Sequence, residues 1–443
     1  MKKQTICMIT LGCAKNLVDS EHVLASLAKE GYQYYPNPRR ADIIIVNTCA
    51  FIESAQKEAV NTILRSALYK RTGNCRHLIV IGCLAQRYAR DIVLHIPEVD
   101  AVLGTGTLGQ LPEVIQQLDS ATDTIVRVDA PGGVLEGERL LSTSIGTAYL
   151  KLAEGCQHRC TFCIIPELRG PLVSRSESSI VEEARILMDH GVQELILIAQ
   201  DSSSYGLDLY GELRLPQLLK KLVRLNGFKW IRLLYLYPQH VTDELLQVMA
   251  EEGKICPYLD LPIQHISDSI LKAMGRGSNK ETLLRLLDKI RVLLPDVALR
   301  TTFIIGFPGE TEKDFLQVLN FMQQEKFDWA GAFTFSPQYN TPAAMLPNQI
   351  PEHVKQERLH RLRRLQRQIS SERNKVWLGR VLPVLIEQTY ESGGTGRCFR
   401  QAPDVDGVTY VRGKNLEPGQ FRQVVIEQTT TYDLKGRIAN EST

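Results

Sequence analysis

Short apolar runs alternate with amphipathic stretches from the amino terminus to about residue 120, the pattern of β/α units around a parallel sheet. Three of these runs, Thr5 to Thr10, Asp42 to Asn47 and His77 to Ile81, are predicted strands. A cysteine follows each almost at once: Cys13 after Leu11-Gly12, Cys49 after Thr48 and Cys83 after Gly82. Small residues at such points suit tight strand-to-helix corners. In an open parallel sheet the carboxyl ends of the strands share one edge, where ligands bind. The three cysteines are therefore expected to converge although they are far apart in sequence.

A stretch containing Gly and Pro, Asp129 to Ser144, reads as a linker. Beyond it the alternation resumes in longer units, with strands near Thr147 to Leu152, Glu194 to Ala199, Trp230 to Leu236, Tyr258 to Pro262, Leu299 to Ile305 and Ala330 to Phe335. Helical patterns such as Ser179 to His190 and Asp314 to Gln324 separate them. Six such units suggest a barrel with fewer staves than the eight-stranded form, its active groups at the carboxyl ends of the strands. Lys355 to Lys375 carries eight Lys/Arg against two Glu, with leucines at 359, 362 and 365 on one helix face. It reads either as a solvated face or as a contact for RNA. After Trp377 the runs Val381 to Gln388, Thr409 to Val411 and Gln423 to Gln428 are broken by Gly393-Gly394, Gly407 and Pro418-Gly419, which suggests a small antiparallel barrel.

Composition adds exclusions. With 44% hydrophobic and 23% charged residues among 443, the chain is neither disordered nor collagen-like, and no apolar run approaches the ~18 residues of a membrane span. A net charge of +2 advertises no nucleic-acid coat. The terminal barrel is nearly neutral as well, which favours a protein over an RNA substrate. Ten cysteines are too dilute in so long a chain for a secreted disulfide framework. Met1-Lys2-Lys3 followed by Ile6 to Gly12 and Cys13 imitates a lipoprotein signal, but its apolar part is short and runs straight into a helix pattern. A cytoplasmic protein is the expectation.

The cysteine pattern that carries chemistry is Cys156, Cys160 and Cys163, a C-x3-C-x2-C spacing just after the first strand of the second unit. Thiolates suit iron–sulfur clusters or zinc. Three of them hold three irons of a [4Fe–4S] cube and leave the fourth open to a small molecule. His158 offers a fourth ligand for zinc, although structural zinc sites usually pair their ligands differently. Cys7, Cys75, Cys256 and Cys398 read as small buried residues. The bland alternative for Cys13, Cys49 and Cys83 is three unrelated core cysteines.

This spacing, with Phe162 before its last cysteine and the surrounding Glu154 to Gly170, resembles the radical S-adenosylmethionine (SAM) methylthiotransferases. The resemblance covers essentially the whole chain and implies an α/β protein. Its parts would be a flavodoxin-like domain at 4–120, a partial (β/α)6 TIM-like radical SAM core at 142–372 and a TRAM barrel at 375–441. Leu11 to Glu21, Asn47 to Ile52, Gly82 to Tyr88 and Tyr258 to His265 are similar to the branch that adds a methylthio group to the β-carbon of an aspartate in a small-subunit ribosomal protein. Ala14 and Ala50 stand where that branch usually has Pro and Gly. The neighbouring branch modifies a tRNA adenosine near the anticodon. A competitor of another class is a non-catalytic, cluster-stabilised ribosome-associated protein.

The resemblance implies two [4Fe–4S] clusters and SAM. Cys156, Cys160 and Cys163 would hold the cluster that cleaves SAM to a 5′-deoxyadenosyl radical, with Phe162 near the adenine. Cys13, Cys49 and Cys83 would hold an auxiliary cluster that carries the sulfur. Gln200 and Asp201 either contact the methionine end of SAM or cap a turn, and Gly306 either lines the adenosine pocket or makes a turn. The expected partner is a small-subunit ribosomal protein, alone or within the subunit; the sulfur and electron donors are not legible.

Overall fold

Ile43–Thr48 is apolar without interruption over its first four residues because it is buried on both faces. In the computed structural model, which describes residues 4–439, it lies inside a six-stranded parallel sheet. The strands are β1 (Thr5–Thr10), β2 (Gln33–Tyr34), β3 (Ile43–Thr48), β4 (His77–Gly82), β5 (Ala101–Leu103) and β6 (Ile125–Arg127), in the order β2-β1-β3-β4-β5-β6. Its first five positions have the flavodoxin order. Alternate residues go to opposite faces: Ile44, Val46, Leu78 and Val80 pack into one cluster, Ile43, Ile45, Ile79 and Ile81 into another. Met1 to Lys3, the basic start of the signal-like pattern, lie outside the described residues, as do the last two residues of the 375–441 segment.

The second unit contains β7 (Thr147–Lys151), the short hairpin β8 (Ala153–Glu154) and β9 (Val173–Ser174), then β10 (Glu194–Ile198), β11 (Trp230–Leu233), β12 (Tyr258–Asp260), β13 (Ala298–Ile305) and β14 (Trp329–Thr334). All six predicted staves form, but as two parallel sheets, β11-β10-β7 and β12-β13-β14. Between β11 and β12 the continuity is a single bridge, Ile231 with Ile255, and the hydrogen bond from Leu236 N to Asp260 O. The largest core cluster lies between these strands and their helices.

The third unit is a closed barrel of β15 (Val381–Tyr390), β16 (Gly393–Cys398), β17 (Thr409–Arg412), β18 (Phe421–Thr429) and β19 (Leu434–Ile438). Four pairings are antiparallel as expected, and the β17–β19 pairing is parallel. Gly393-Gly394 does not break the chain but begins β16. These glycines belong to the wall: a Cβ on Gly396 of the same strand would lie 2.1 Å from Leu385 O. The barrel sits against the amino ends of the staves. Arg397 and Arg232 share Glu194, Arg400 meets Asp328 at 2.6 Å, and Tyr258 Oη donates to Asp406 at 2.7 Å.

The stretch that reads as a linker and part of the basic helix are both fastened to their surroundings. The Asp129 to Ser144 stretch has no helix or strand, but its Arg139 reaches Glu21 and Glu183, both at 2.6 Å, and Ser142 N donates to Glu21. On the basic helix, now Glu352–Lys375, the charges divide. Lys355, Arg358, Arg361 and Arg373 are engaged by Phe335 O, Glu310, Glu312 and Asp328. His360, Arg363, Arg364 and Arg367, spaced for one helix face, are exposed and make no ion pair among the described residues. They line a groove of about 960 Å³ with Phe333 and Tyr432.

Candidate functional site

Each amino-terminal cysteine is positioned by a strand end. Gly12 takes φ +93° between β1 and the helix Ala14–Lys29, and a Cβ there would lie 2.7 Å from the Cβ of Cys49 and 3.2 Å from its sulfur. Only glycine lets β1 and β3 deliver Cys13 and Cys49 so close together. Cys83 opens the helix Cys83–His95 on the next strand. All three line one cavity of about 480 Å³. Cys156, Cys160 and Cys163 line an adjoining cavity of about 160 Å³ on the loop after β8, with Cys163 N donating to Cys160 O at 3.1 Å. Phe51, Phe162, Ile165, Gln200, Tyr235, Pro262 and Gln264 line both cavities, so the two cysteine groups face one continuous space.

Cys13 stands apart electrostatically from Cys49, Cys83, Cys156 and Cys163, whose thiols burial raises. Burial raises the Cys13 thiol, but the cations of Lys15 and Arg169 outweigh it and bring Cys13 below the ordinary thiol value. Burial pushes Cys83 up to about 11, Cys156 to about 11 and Cys163 to about 12. Such thiols are costly as isolated thiolates and suited to becoming ligands of a soft cation, which supplies the missing charge. Hydrogen-bond donors already point at the sulfurs: Arg169 Nε lies 3.3 Å from Cys83 Sγ, and Arg276 Nη1 3.7 Å from Cys160 Sγ.

Arg169 belongs to a buried network that sequence pattern does not reveal. It donates to Asp19 at 2.7 Å, to Glu154 at 3.1 Å and to Asn16, while Lys151 meets the same Asp19 and Glu154. Gln200 completes it with a bond from Nε2 to Glu154. Burial raises the carboxyl of Asp19, yet Lys151 and Arg169 hold it down to about 2. The only clue in the sequence is that Asn16 and Asp19 fall on one face of the helix that Cys13 starts.

The remaining expected residues fall on both sides of their alternatives. Phe162 lines both cavities. Gln200 does too, and its Oε1 is buried and has no hydrogen-bond partner among the described residues. Asp201 caps the turn Ser202–Ser204, accepting from Ser203 N at 2.9 Å. Burial raises its carboxyl, but hydrogen bonds from His158, His240 and the two serines hold it well below the carboxylate range. His158 does not join the cysteines as a fourth ligand: it lies 2.7 Å from Asp201 and stacks on Tyr237 at 3.8 Å. Gly306 makes a turn at φ +73° against the stem of Lys355, its N donating to Glu310, while Ile304 meets the cavity. Cys7, Cys75, Cys256 and Cys398 are buried, as expected.

Comparison with known proteins matches residues 5–104 to the uncharacterized protein family UPF0004, 150–322 to the Radical SAM superfamily and 378–439 to the TRAM domain. Among solved structures, the radical S-adenosylmethionine methyltransferase TsrM from Kitasatospora setae, holding cobalamin and a [4Fe-4S] cluster, aligns with a TM-score of 0.56 over 77% of each chain at 14% identity. That likeness is one of fold. Curated relatives are closer. Ribosomal protein uS12 methylthiotransferase RimO of Clostridium perfringens strain SM101 is 45% identical over 100% of both chains, and that of Desulforamulus reducens 46% identical over 98% of this chain and 99% of its own. With the three matched segments in this order and such identity from end to end, the chain belongs to the RimO family of radical SAM methylthiotransferases.

Proposed function

We propose that this protein converts a β-carbon C–H bond of an aspartate in ribosomal protein uS12 to C–S–CH3, using SAM and two [4Fe–4S] clusters. The observation that carries the reading is the continuous cavity with three cysteines at each end. Cys156, Cys160 and Cys163 would hold one cluster; Cys13, Cys49 and Cys83 would hold the other. When bound, the first supplies reductive cleavage of SAM to a carbon radical and the second supplies the sulfur. The residues present fit that cargo: three thiols line each end of the space, and Arg169 and Arg276 donate to sulfur.

The chain's own work is positioning and exclusion of water. Phe51, Phe162, Ile165 and Pro262 wall the space between the cysteine groups with apolar surface, which keeps a reactive carbon from solvent. The Arg169 network ties the first helix of one unit to the motif loop of the next, so the two cysteine groups are held at one separation. The unit limits 4–120, 142–372 and 375–441 remain our assignment. Mass spectrometry of uS12 from cells with and without the gene tests the reading. Loss of one methylthio group from uS12 supports it, and an unchanged uS12 overturns it.

The stripe His360, Arg363, Arg364 and Arg367 supports RNA contact during uS12 capture, because exposed cations that make no ion pair among the described residues suit phosphates. Tyr432 and Phe333 beside it offer stacking surfaces. Replacing the three arginines by glutamate is expected to weaken association with the small ribosomal subunit and to flatten its salt dependence, by about one unit of slope for each phosphate no longer neutralised. Binding that is unchanged across a salt series would rule this interaction out.

A further inference from the structure

Lys15 brings an ammonium group into the cavity with no carboxylate or hydrogen-bond acceptor paired to it among the described residues. The residue is 8% exposed and lines the larger cavity, two positions from Cys13. Its Nζ lies 3.3 Å from the centroid of the Tyr235 ring and, among the described residues, makes no hydrogen bond or ion pair. The neighbouring carboxylates are engaged elsewhere: Asp260 by Arg300 Nη1 at 2.8 Å and by Tyr235 N at 3.2 Å, Glu154 by Lys151, Arg169 and Gln200. A buried ammonium costs more than one aromatic face returns.

Its seat is built with strain. Tyr235 has φ +60° and Gln264 φ +73°, and both line this cavity. A left-handed backbone at a bulky residue persists only where its surroundings impose it, and such residues cluster at ligand sites. Here the bonds from Ser202 N to Tyr235 O at 2.8 Å and from Tyr235 N to Asp260 hold the backbone that sets the ring under Lys15.

We infer that Lys15 binds the side-chain carboxylate of the target residue, its Nζ donating to a carboxylate oxygen. The inference rests on the aspartate reading above, since an aspartate carries its carboxylate one bond from the β-carbon that reacts. A fixed cation there locates the reacting carbon between the two cysteine groups. It also selects for an anionic substrate group and against a neutral nucleobase.

The test uses reconstituted holoenzyme and uS12 in two forms, wild-type and with the target Asp replaced by Asn. Wild-type enzyme is expected to bind the Asp form roughly ten- to a hundredfold more tightly, the worth of a charge-assisted hydrogen bond. In Lys15→Met that preference disappears, while Lys15→Arg keeps part of it. Iron content, read alongside, stays at the wild-type level. Equal binding of the two forms by the wild-type enzyme overturns the inference, a result that needs no variant to fold. So does a Lys15→Met protein that loses iron and weakens both forms alike, which assigns Lys15 to balancing the charge at Cys13. Absence of any uS12 binding and modification by the wild-type enzyme removes the aspartate reading and this inference together.

Discussion

Cys160→Ala holoenzyme will cleave no detectable SAM under strong reductant, whereas Cys49→Ala will keep a substantial part of that cleavage and transfer no sulfur to uS12. Cys160 belongs to the loop group that lines the smaller cavity, Cys49 to the strand-end group that lines the larger one. Removing one of three thiols leaves a cluster short of a ligand, and the damage is confined to the end where that thiol sits. Iron per chain should fall in each variant without reaching zero. The check is a paired assay of SAM cleavage products and methylthiolated uS12 on the same anaerobic preparations. Normal sulfur transfer by both variants would sink the two-cluster assignment, and equal loss of cleavage by both would merge the two groups into one functional unit.

The second large effect is on stability. Arg169→Met should cost roughly 3–5 kcal/mol in denaturant unfolding, the range for stripping one partner from a buried charge cluster. Arg169 is 3% exposed and spans Asp19, Glu154, Asn16 and Cys83, so its loss strands two carboxylates between Lys151 and apolar walls. The pH dependence carries a sign. Asp19 has its carboxyl lowered from 3.8 to about 2, so the native state binds that proton less readily than the unfolded chain. Its contribution is complete above about pH 4 and is lost as pH falls through about 2. Arg169→Met weakens that lowering, and the variant should show a shallower acid loss over this window. A variant with wild-type stability and the same acid profile would show that the network does not tie the two units together.

Part of this was legible without coordinates. Cys13, Cys49 and Cys83 were recognisable as a group because periodicity marks strands, strands in such a pattern run parallel, and parallel strands end on one edge. The staves of the second unit were legible for the same reason. Boundaries moved by a residue or more, as with Ile43–Thr48 against Asp42 to Asn47, since propensity marks the middle of an element better than its ends. Gly393-Gly394 reads as a break because glycine is a turn signal, but a small closed barrel needs its backbones close and places glycine in the wall.

What the sequence determined by itself is placement: which cysteines come to one edge or one loop, which fold carries them, and which family the motifs resemble. These depend on local spacing and on strand direction, both written along the chain. What only the tertiary structure decided is how charges pair across distance. Asp19 with Lys151, Arg169 with Cys83 and Arg397 with Glu194 join residues separated by 132, 86 and 203 positions. The split of one basic helix into a paired face and an open one depends on what packs beside it, and so does the isolation of Lys15. A charge in sequence is only a potential partner. Burial and geometry determine whether it meets one, because the cost of leaving it alone appears only once water is gone.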